Sequence, residues 1–297
     1  MDRRLKELLR PEVINTMDGL ELVARIIVEG FMSGSNKSQS VGVGQEFSQY
    51  RNYEPGDDLR QLDWKMYARS ERYFVKQADI ETNITVKFLI DASRSMTYAE
   101  EGLAKFDYAK VLTAALAYLA RKQGDTFALY TINNEGVSAV HPRFEQQQFM
   151  RFLHTLAASQ ASGSWRKTDV EQLFIHHGKE LLVFMSDMYD DAGDLFQFIG
   201  RLKTPRNEVI VFHLIGHMEM ALDRAGSFTF KDLESGETLR VDTAAQQKEY
   251  TERVKQWIAK IRNVLLEKNI SYYTIAMDEN PGQMLRDFLR SRKLLMR

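Results

Sequence analysis

The sequence predicts a doubly wound α/β fold, a mostly parallel sheet with helices on both faces. Three observations carry that expectation. From about residue 88 onward, apolar runs of strand length alternate with longer segments of helical period. Several of the runs are apolar at every position, the pattern of strands buried on both faces. Polar residues gather just past the ends of two of these runs, where open α/β sheets collect their ligands.

The elements follow in order. Phe88-Leu89-Ile90 is a buried strand ending on Asp91. Leu103 to Lys122 carries Phe106, Val111, Ala115, Leu116 and Leu119 at helical spacing, and Gly124 supplies the stop. Phe127 to Ile132 is the next strand, and Asn133-Asn134-Glu135-Gly136 turns it into Val137 to Val140 as a hairpin. Phe144 to Ala158 is helical, with Phe149, Phe152, Leu153 and Leu156 on one face. A small polar loop, Ser159 to Lys167, leads to a short helix from about Asp169. Leu181 to Met185 is a fully apolar strand ending at Ser186-Asp187; Leu195 to Leu202 is helical and Val209 to Ile215 another buried strand. Phe228 to Phe230 and Thr238 to Val241 flank Glu234-Ser235-Gly236-Glu237 as a hairpin excursion at about 226–243. Tyr250, Val254, Trp257, Ile258, Ile261 and Leu265 then form one stripe of a long amphipathic helix. Ile270 to Ala276 is a last strand, Pro281-Gly282 a break, and Met284 to Leu295 a last helix.

The first 82 residues do not alternate in this way and read as an N-terminal extension packed on a main domain at 83–297. Leu20 to Val28 is expected to be helical, Gly42 to Gly44 a loop, Asp57-Asp58 the cap of a short helix through Leu59, Leu62 and Met66, and Tyr73 to Ile80 extended.

Composition narrows the function classes. A formal net charge of -1 excludes a strong general attraction to nucleic acid or to anionic membrane. The chain has no cysteine, so it has no disulfide framework, thiolate metal site or cysteine nucleophile; this agrees with a reducing cytoplasm. Its apolar runs fall far short of the roughly 20 residues that span a bilayer, so no membrane insertion is expected. The N-terminus lacks the apolar core of a signal peptide.

The chemistry-bearing residues sit at the strand ends. Asp91, Ser93 and Ser95 alternate past the first strand, Asp187 ends a second, and Thr168 opens the helix before it. If those two strands are neighbours at the point where strand order reverses, two carboxylates and three hydroxyls converge. That all-oxygen set suits a hard cation such as Mg²⁺, with Mn²⁺ or Ca²⁺ as relatives. The alternative for the pentapeptide alone is a polar turn, since Asp and Ser favour loops and caps.

Asp91-x-Ser93-x-Ser95 followed by Thr168 and Asp187 resembles the metal-ion-dependent adhesion site of von Willebrand factor A domains. The resemblance covers about residues 84–216 plus the final strand and helix. It implies a Mg²⁺ held by the serines and threonine, with the aspartates bound directly or through water and a partner's acidic side chain completing the shell. One departure is that Arg166-Lys167 precede Thr168, where the family often has Gly-Gly.

An upstream block is more specific. Gly42-x-Gly44-x-Glu46-Phe47, Arg51-x-Tyr53-x-Pro55-Gly56-Asp57-Asp58-x-Arg60-x-Leu62-Asp63-Trp64 and Ala68-Arg69 resemble the hallmark of the bacterial "domain of unknown function 58" family. That resemblance implies a cytoplasmic adaptor or chaperone-like partner of MoxR-type AAA+ ATPases. Physically the block reads either as a docking surface rich in Arg and aromatic residues or as a salt-bridged clamp holding the extension in place.

Other signals are weaker. Gly42-Val43-Gly44 lacks the setting of a nucleotide loop, so no intrinsic ATPase activity is expected. His176 and His177, adjacent on a helix, point apart. Asp190, Asp191 and Asp194 read as helix caps, and the basic last helix as a solvated face. The enzymatic alternative is a Mg²⁺-dependent phosphohydrolase using Asp91 as nucleophile. Ser93 stands where that chemistry needs a second carboxylic acid to protonate the leaving group, and no Ser-His-Asp grouping is evident. No catalytic residue is assigned.

Overall fold

The structure, a computed structural model, describes residues 7–35, 47–53, 64–78, 84–143, 145, 147–165, 179–189, 193–222, 226–231, 233 and 237–295. By packing the chain divides into two compact units, Met1–Gly34 with Asn83–Arg297, and Ser35–Thr82.

The larger unit is the expected doubly wound sheet. Its six strands are β1 (Thr85–Asp91), β2 (Thr126–Asn133), β3 (Gly136–Val140), β4 (Glu180–Ser186), β5 (Asn207–Ile215) and β6 (Ser271–Ala276). They lie in the order β3-β2-β1-β4-β5-β6, with every pair parallel except the β2–β3 hairpin. Strand order therefore reverses between β1 and β4, and Ile90 pairs with Met185 there, so the two strands end together.

Alternation along each strand sorts the core into two apolar layers. Phe88, Ile90, Leu129, Val183, Met185, Ile210 and Phe212 belong to one cluster; Leu89, Ala128, Tyr130, Leu182, Phe184, Val209 and Val211 belong to the other. On the first face lie α1 (Met17–Ser35), α2 (Lys105–Lys122), α3 (Gln148–Ala158) and, later in the chain, α7 (Pro281–Leu295); on the second lie α4 (Asp194–Leu202) and α6 (Thr243–Glu267). The short α5 (His217–Ala221) follows β5. Among the described residues, no helix is long and apolar enough to cross a membrane.

Helix ends show where local chemistry corrects the sequence expectation. The helix expected from Leu20 begins at Met17, because the Thr16 hydroxyl accepts the Gly19 N–H at 3.1 Å and caps it. Gly19 also permits a close approach, since a Cβ there would stand 1.9 Å from the Val13 carbonyl oxygen. The helix expected from Phe144, itself outside the described residues, begins at Gln148. The Gln148 side chain donates to the carbonyls of Phe127 (3.2 Å) and His141 (2.8 Å), which pins the helix start to β2. The last helix starts at Pro281 rather than after it: at the first helical position a proline loses no hydrogen bond. Gly124 ends α2 at φ 77°, as its stop role requires.

In the smaller unit, Phe47–Asn52 pairs antiparallel with Phe74–Ala78, and Trp64–Ser70 is helical. Tyr67 stacks on Tyr73 at 4.6 Å. Gly42, Gly44, Glu46, Asp57, Asp58, Leu59, Leu62 and Asp63 lie outside the described residues. Ser227–Lys231 pairs antiparallel with Thr238–Asp242, the hairpin expected around Glu234 to Glu237.

Phe152 is fully buried and meets Phe88 and Phe127 edge-on at 5.8 and 5.4 Å. Phe152→Ala should lower unfolding free energy by about 3–5 kcal/mol in urea titrations. A loss below about 1 kcal/mol would contradict this packing.

Candidate functional site

The site is built on the ends of β1 and β4. Asp91, the last residue of β1, is completely buried. Its Oδ1 accepts the Ser93 N–H at 2.9 Å, the bond that folds the chain into a turn right after the strand. Its Oδ2 accepts the Ser186 hydroxyl at 2.8 Å, and Ser186 Oγ in turn accepts the Met188 N–H at 2.9 Å. The loop beyond Asp91 is pinned on its outer side as well. Ala92 N–H donates to Ile132 O (2.8 Å), Ser162 N–H to Ala92 O (2.8 Å) and Arg94 N–H to Gly163 O (3.1 Å). Gly163 has φ 69°, a left-handed backbone that favours glycine, and a Cβ there would also push aside the Asn134 side-chain oxygen.

The turn aims two hydroxyls at the second strand. Ser93 Oγ and Ser95 Oγ stand 3.0 Å apart, and the Ser95 hydroxyl donates to Asp187 Oδ1 at 3.2 Å. Asp187, which directly follows β4, is 1% exposed. Of the five residues singled out by sequence, Asp91, Ser93, Ser95 and Asp187 are thus brought together. Thr168 lies outside the described residues, as do His176, His177, Asp190 and Asp191. Asp194 opens α4, where its charge suits the helix N-terminus.

Sequence reasoning missed three groups. Ser186 is one; its signal was visible as a Ser-Asp pair closing an apolar strand. The others are Lys105 and Glu219. Lys105, the first residue of α2, is 1% exposed, and its ammonium donates to Asp187 Oδ2 (3.0 Å) and Glu219 Oε1 (2.7 Å). The rings of Tyr98 and Tyr189 lie 5.1 and 5.5 Å from that nitrogen. Glu219 Oε2 accepts the Gly216 N–H at 2.7 Å, and the Tyr250 hydroxyl donates to Glu219 O at 2.8 Å. Glu100 accepts from His217 N–H (2.8 Å), Met218 N–H (2.9 Å) and the Tyr98 hydroxyl (2.7 Å). A lysine at the head of an amphipathic helix carries no sequence mark of burial.

Burial, reinforced by the charge of Asp187, pushes the Asp91 carboxyl up to about 7, although hydrogen bonds from Ser93 and Ser186 oppose the rise. Burial acts to lower Lys105, but Asp187 and Glu219 outweigh it and the net shift is upward. Burial raises Glu219 against the pull of Lys105. Burial and the nearby Lys105 charge hold His213 down at about 3, a neutral imidazole beside the site. Among the described residues no three His, Asp or Glu side chains are grouped to hold a metal.

Residues 49–259 match the family described as "Protein of unknown function DUF58". The uncharacterized proteins Rv1480 of Mycobacterium tuberculosis and Mb1516 of Mycobacterium bovis are each 23% identical over 231 residues, spanning 76% of this chain and 72% of theirs. Solved structures similar to the chain include the conserved hypothetical protein BatB from Bacteroides thetaiotaomicron, with TM-score 0.45 and 10% identity over 70% of this chain and 98% of that one. The SpRpn10 VWA domain has TM-score 0.41 and 13% identity over 68% of this chain and 93% of that one. Because the family match spans well over half of its length, the chain belongs to the DUF58 family.

Proposed function

We propose that the chain is a metal-dependent protein-interaction module whose cation site is formed by Ser93, Ser95, Asp91, Asp187 and Thr168. The observation that carries this reading is the hydroxyl pair at 3.0 Å with Asp187 Oδ1 3.2 Å beyond it. An octahedral oxygen shell at about 2.1 Å separates neighbouring ligands by about 3 Å, so these spacings fit Mg²⁺ or Mn²⁺. Ser93 and Ser95 would hold the ion directly. Asp187 would supply a carboxylate at its edge, and Asp91, locked by Ser93 N–H and Ser186, would add negative charge from behind. With so few anionic ligands, a bound cation stays electropositive and suits an outside carboxylate.

The partner is therefore a protein presenting an acidic side chain. A MoxR-type AAA+ ATPase in the cytoplasm is the candidate that the family resemblance suggests. The same geometry speaks against the phosphohydrolase alternative, because both Asp91 oxygens are engaged and the residue has no exposed surface from which to attack a phosphoester.

Binding of the cognate ATPase should strengthen in Mg²⁺, and Asp91→Ala should abolish that increment in a pull-down or calorimetric titration. Binding indifferent both to EDTA and to Asp91→Ala would rule out this role for the site.

The Asp91 shift sets a pH dependence. Between its ordinary value of 3.8 and about 7, the folded chain keeps a proton on Asp91 that the unfolded chain has released. In EDTA this group's contribution to stability therefore falls as pH rises across that window. A divalent cation displaces the same proton, so Mn²⁺ affinity should rise about tenfold per pH unit until about pH 7. Asp91→Asn should flatten both profiles; an equally steep slope in that variant would assign the proton elsewhere.

A further inference from the structure

We infer that Lys105 is a resident counter-ion of the candidate site, whose ammonium compensates Asp187 and Glu219 in the cation-free protein and thereby lowers the site's affinity for divalent cations. The inference rests on the cation-site reading above and adds a residue to it that no sequence pattern picked out. Lys105 is not a solvated lysine that happens to reach an acid: it is 1% exposed and lies between two carboxylates at 3.0 and 2.7 Å. Two tyrosine rings lie close to its ammonium nitrogen.

Asp187 is the shared atom group. Its Oδ1 faces the Ser93–Ser95 hydroxyl pair, while its Oδ2 faces the ammonium. A cation held on the hydroxyls would draw on the same carboxylate as Lys105, and two positive charges so close in a buried setting repel strongly. Removing the ammonium has two effects of opposite sense. It leaves Asp187 and Glu219 as buried, uncompensated charges, which destabilises the cation-free fold. It also makes the site more negative, which favours a divalent cation. A lysine that only positioned Asp187 would act otherwise, since its loss would misplace a ligand and weaken metal binding.

The test is Mn²⁺ titration by calorimetry, together with thermal unfolding in EDTA and in Mn²⁺, on the full chain and on Lys105→Met. The expected result is a melting temperature about 5 °C or more lower in EDTA, Mn²⁺ affinity at least about tenfold tighter than wild type, and a larger thermal gain on adding Mn²⁺. If Lys105→Met does not fold without metal, the double variant Lys105→Met/Glu219→Gln removes the ammonium together with one of its acids and should still bind Mn²⁺ more tightly than wild type. Unchanged or weaker Mn²⁺ affinity in the folded variant would overturn the inference while leaving the cation site standing. Mn²⁺ binding by the variant but not by wild type would support it, with Lys105 then acting as the site's own cation. Absence of binding in both would overturn the site and the role of Lys105 together.

Discussion

Parallel strands deliver their carboxyl ends to one edge of a sheet, and here two neighbouring strands deliver acids. Asp91 and Asp187 stand at the ends of β1 and β4 with almost no exposed surface. A buried carboxylate without partners costs several kcal/mol, so each oxygen must be met by a donor. The surrounding residues follow from that requirement. Ser93 N–H and the Ser186 hydroxyl serve Asp91; the Ser95 hydroxyl and the Lys105 ammonium serve Asp187. The alternation of serines after Asp91 matters because the first supplies a backbone donor and both place oxygen lone pairs on one side. The apolar layers above and below the sheet hold the two strand ends in register, which keeps these short contacts aligned.

The same charges organise the rim. Lys105 draws Glu219 toward the start of α2, and Glu219 meets the Gly216 N–H with its second oxygen. Glu100 satisfies the next two N–H groups, those of His217 and Met218, so the segment from Tyr98 to Lys105 and the turn after β5 are clamped to each other twice. Tyr250 on α6 closes the chain of contacts through the Glu219 carbonyl. Charge-assisted bonds of this kind contribute about 1.5–3 kcal/mol each when buried. A path of short contacts therefore runs from Asp187 through Lys105 and Glu219 to the long helix α6.

Much of this was legible in the sequence, for physical reasons. Strands buried on both faces are apolar at nearly every position, and Phe88-Leu89-Ile90, Leu181 to Met185 and Val209 to Ile215, the last interrupted by the buried His213, announce themselves. Gly124 and the Asn133 to Gly136 turn mark boundaries because their backbone conformations favour those residues. Local side-chain bonds are harder to read. The start of α3 depends on Gln148 reaching carbonyls of residues 127 and 141, contacts that exist only once the sheet has formed. Phe47–Asn52 went unmarked as a strand because Ser48, Gln49, Arg51 and Asn52 lack a strand's apolar period. Asp91, Ser93 and Ser95 were visible because their alternation along one loop is a local property, and Asp187 because it directly follows a second apolar strand. Lys105 and Glu219 were not, since their role arises from three segments meeting in space.

The choice of hydroxyls over carboxylates bears on what such a site is for. A shell of several carboxylates neutralises a divalent cation and leaves no demand for further anions, which suits storage or structural roles. Here two of the described oxygens are serine hydroxyls 3.0 Å apart, and one of the two carboxylates is already shared with an ammonium. Under the proposed reading, positive charge is deliberately under-compensated inside the chain, and a carboxylate arriving from outside gains what the chain withholds. The half-exposed ring of Tyr189, beside Lys105 and packed against Trp257 at 5.6 Å, adds apolar surface near the same place. An acidic side chain with an apolar neighbour would satisfy both features at once, whereas a free inorganic anion would satisfy only the charge, so the pairing favours a protein partner over a small ion.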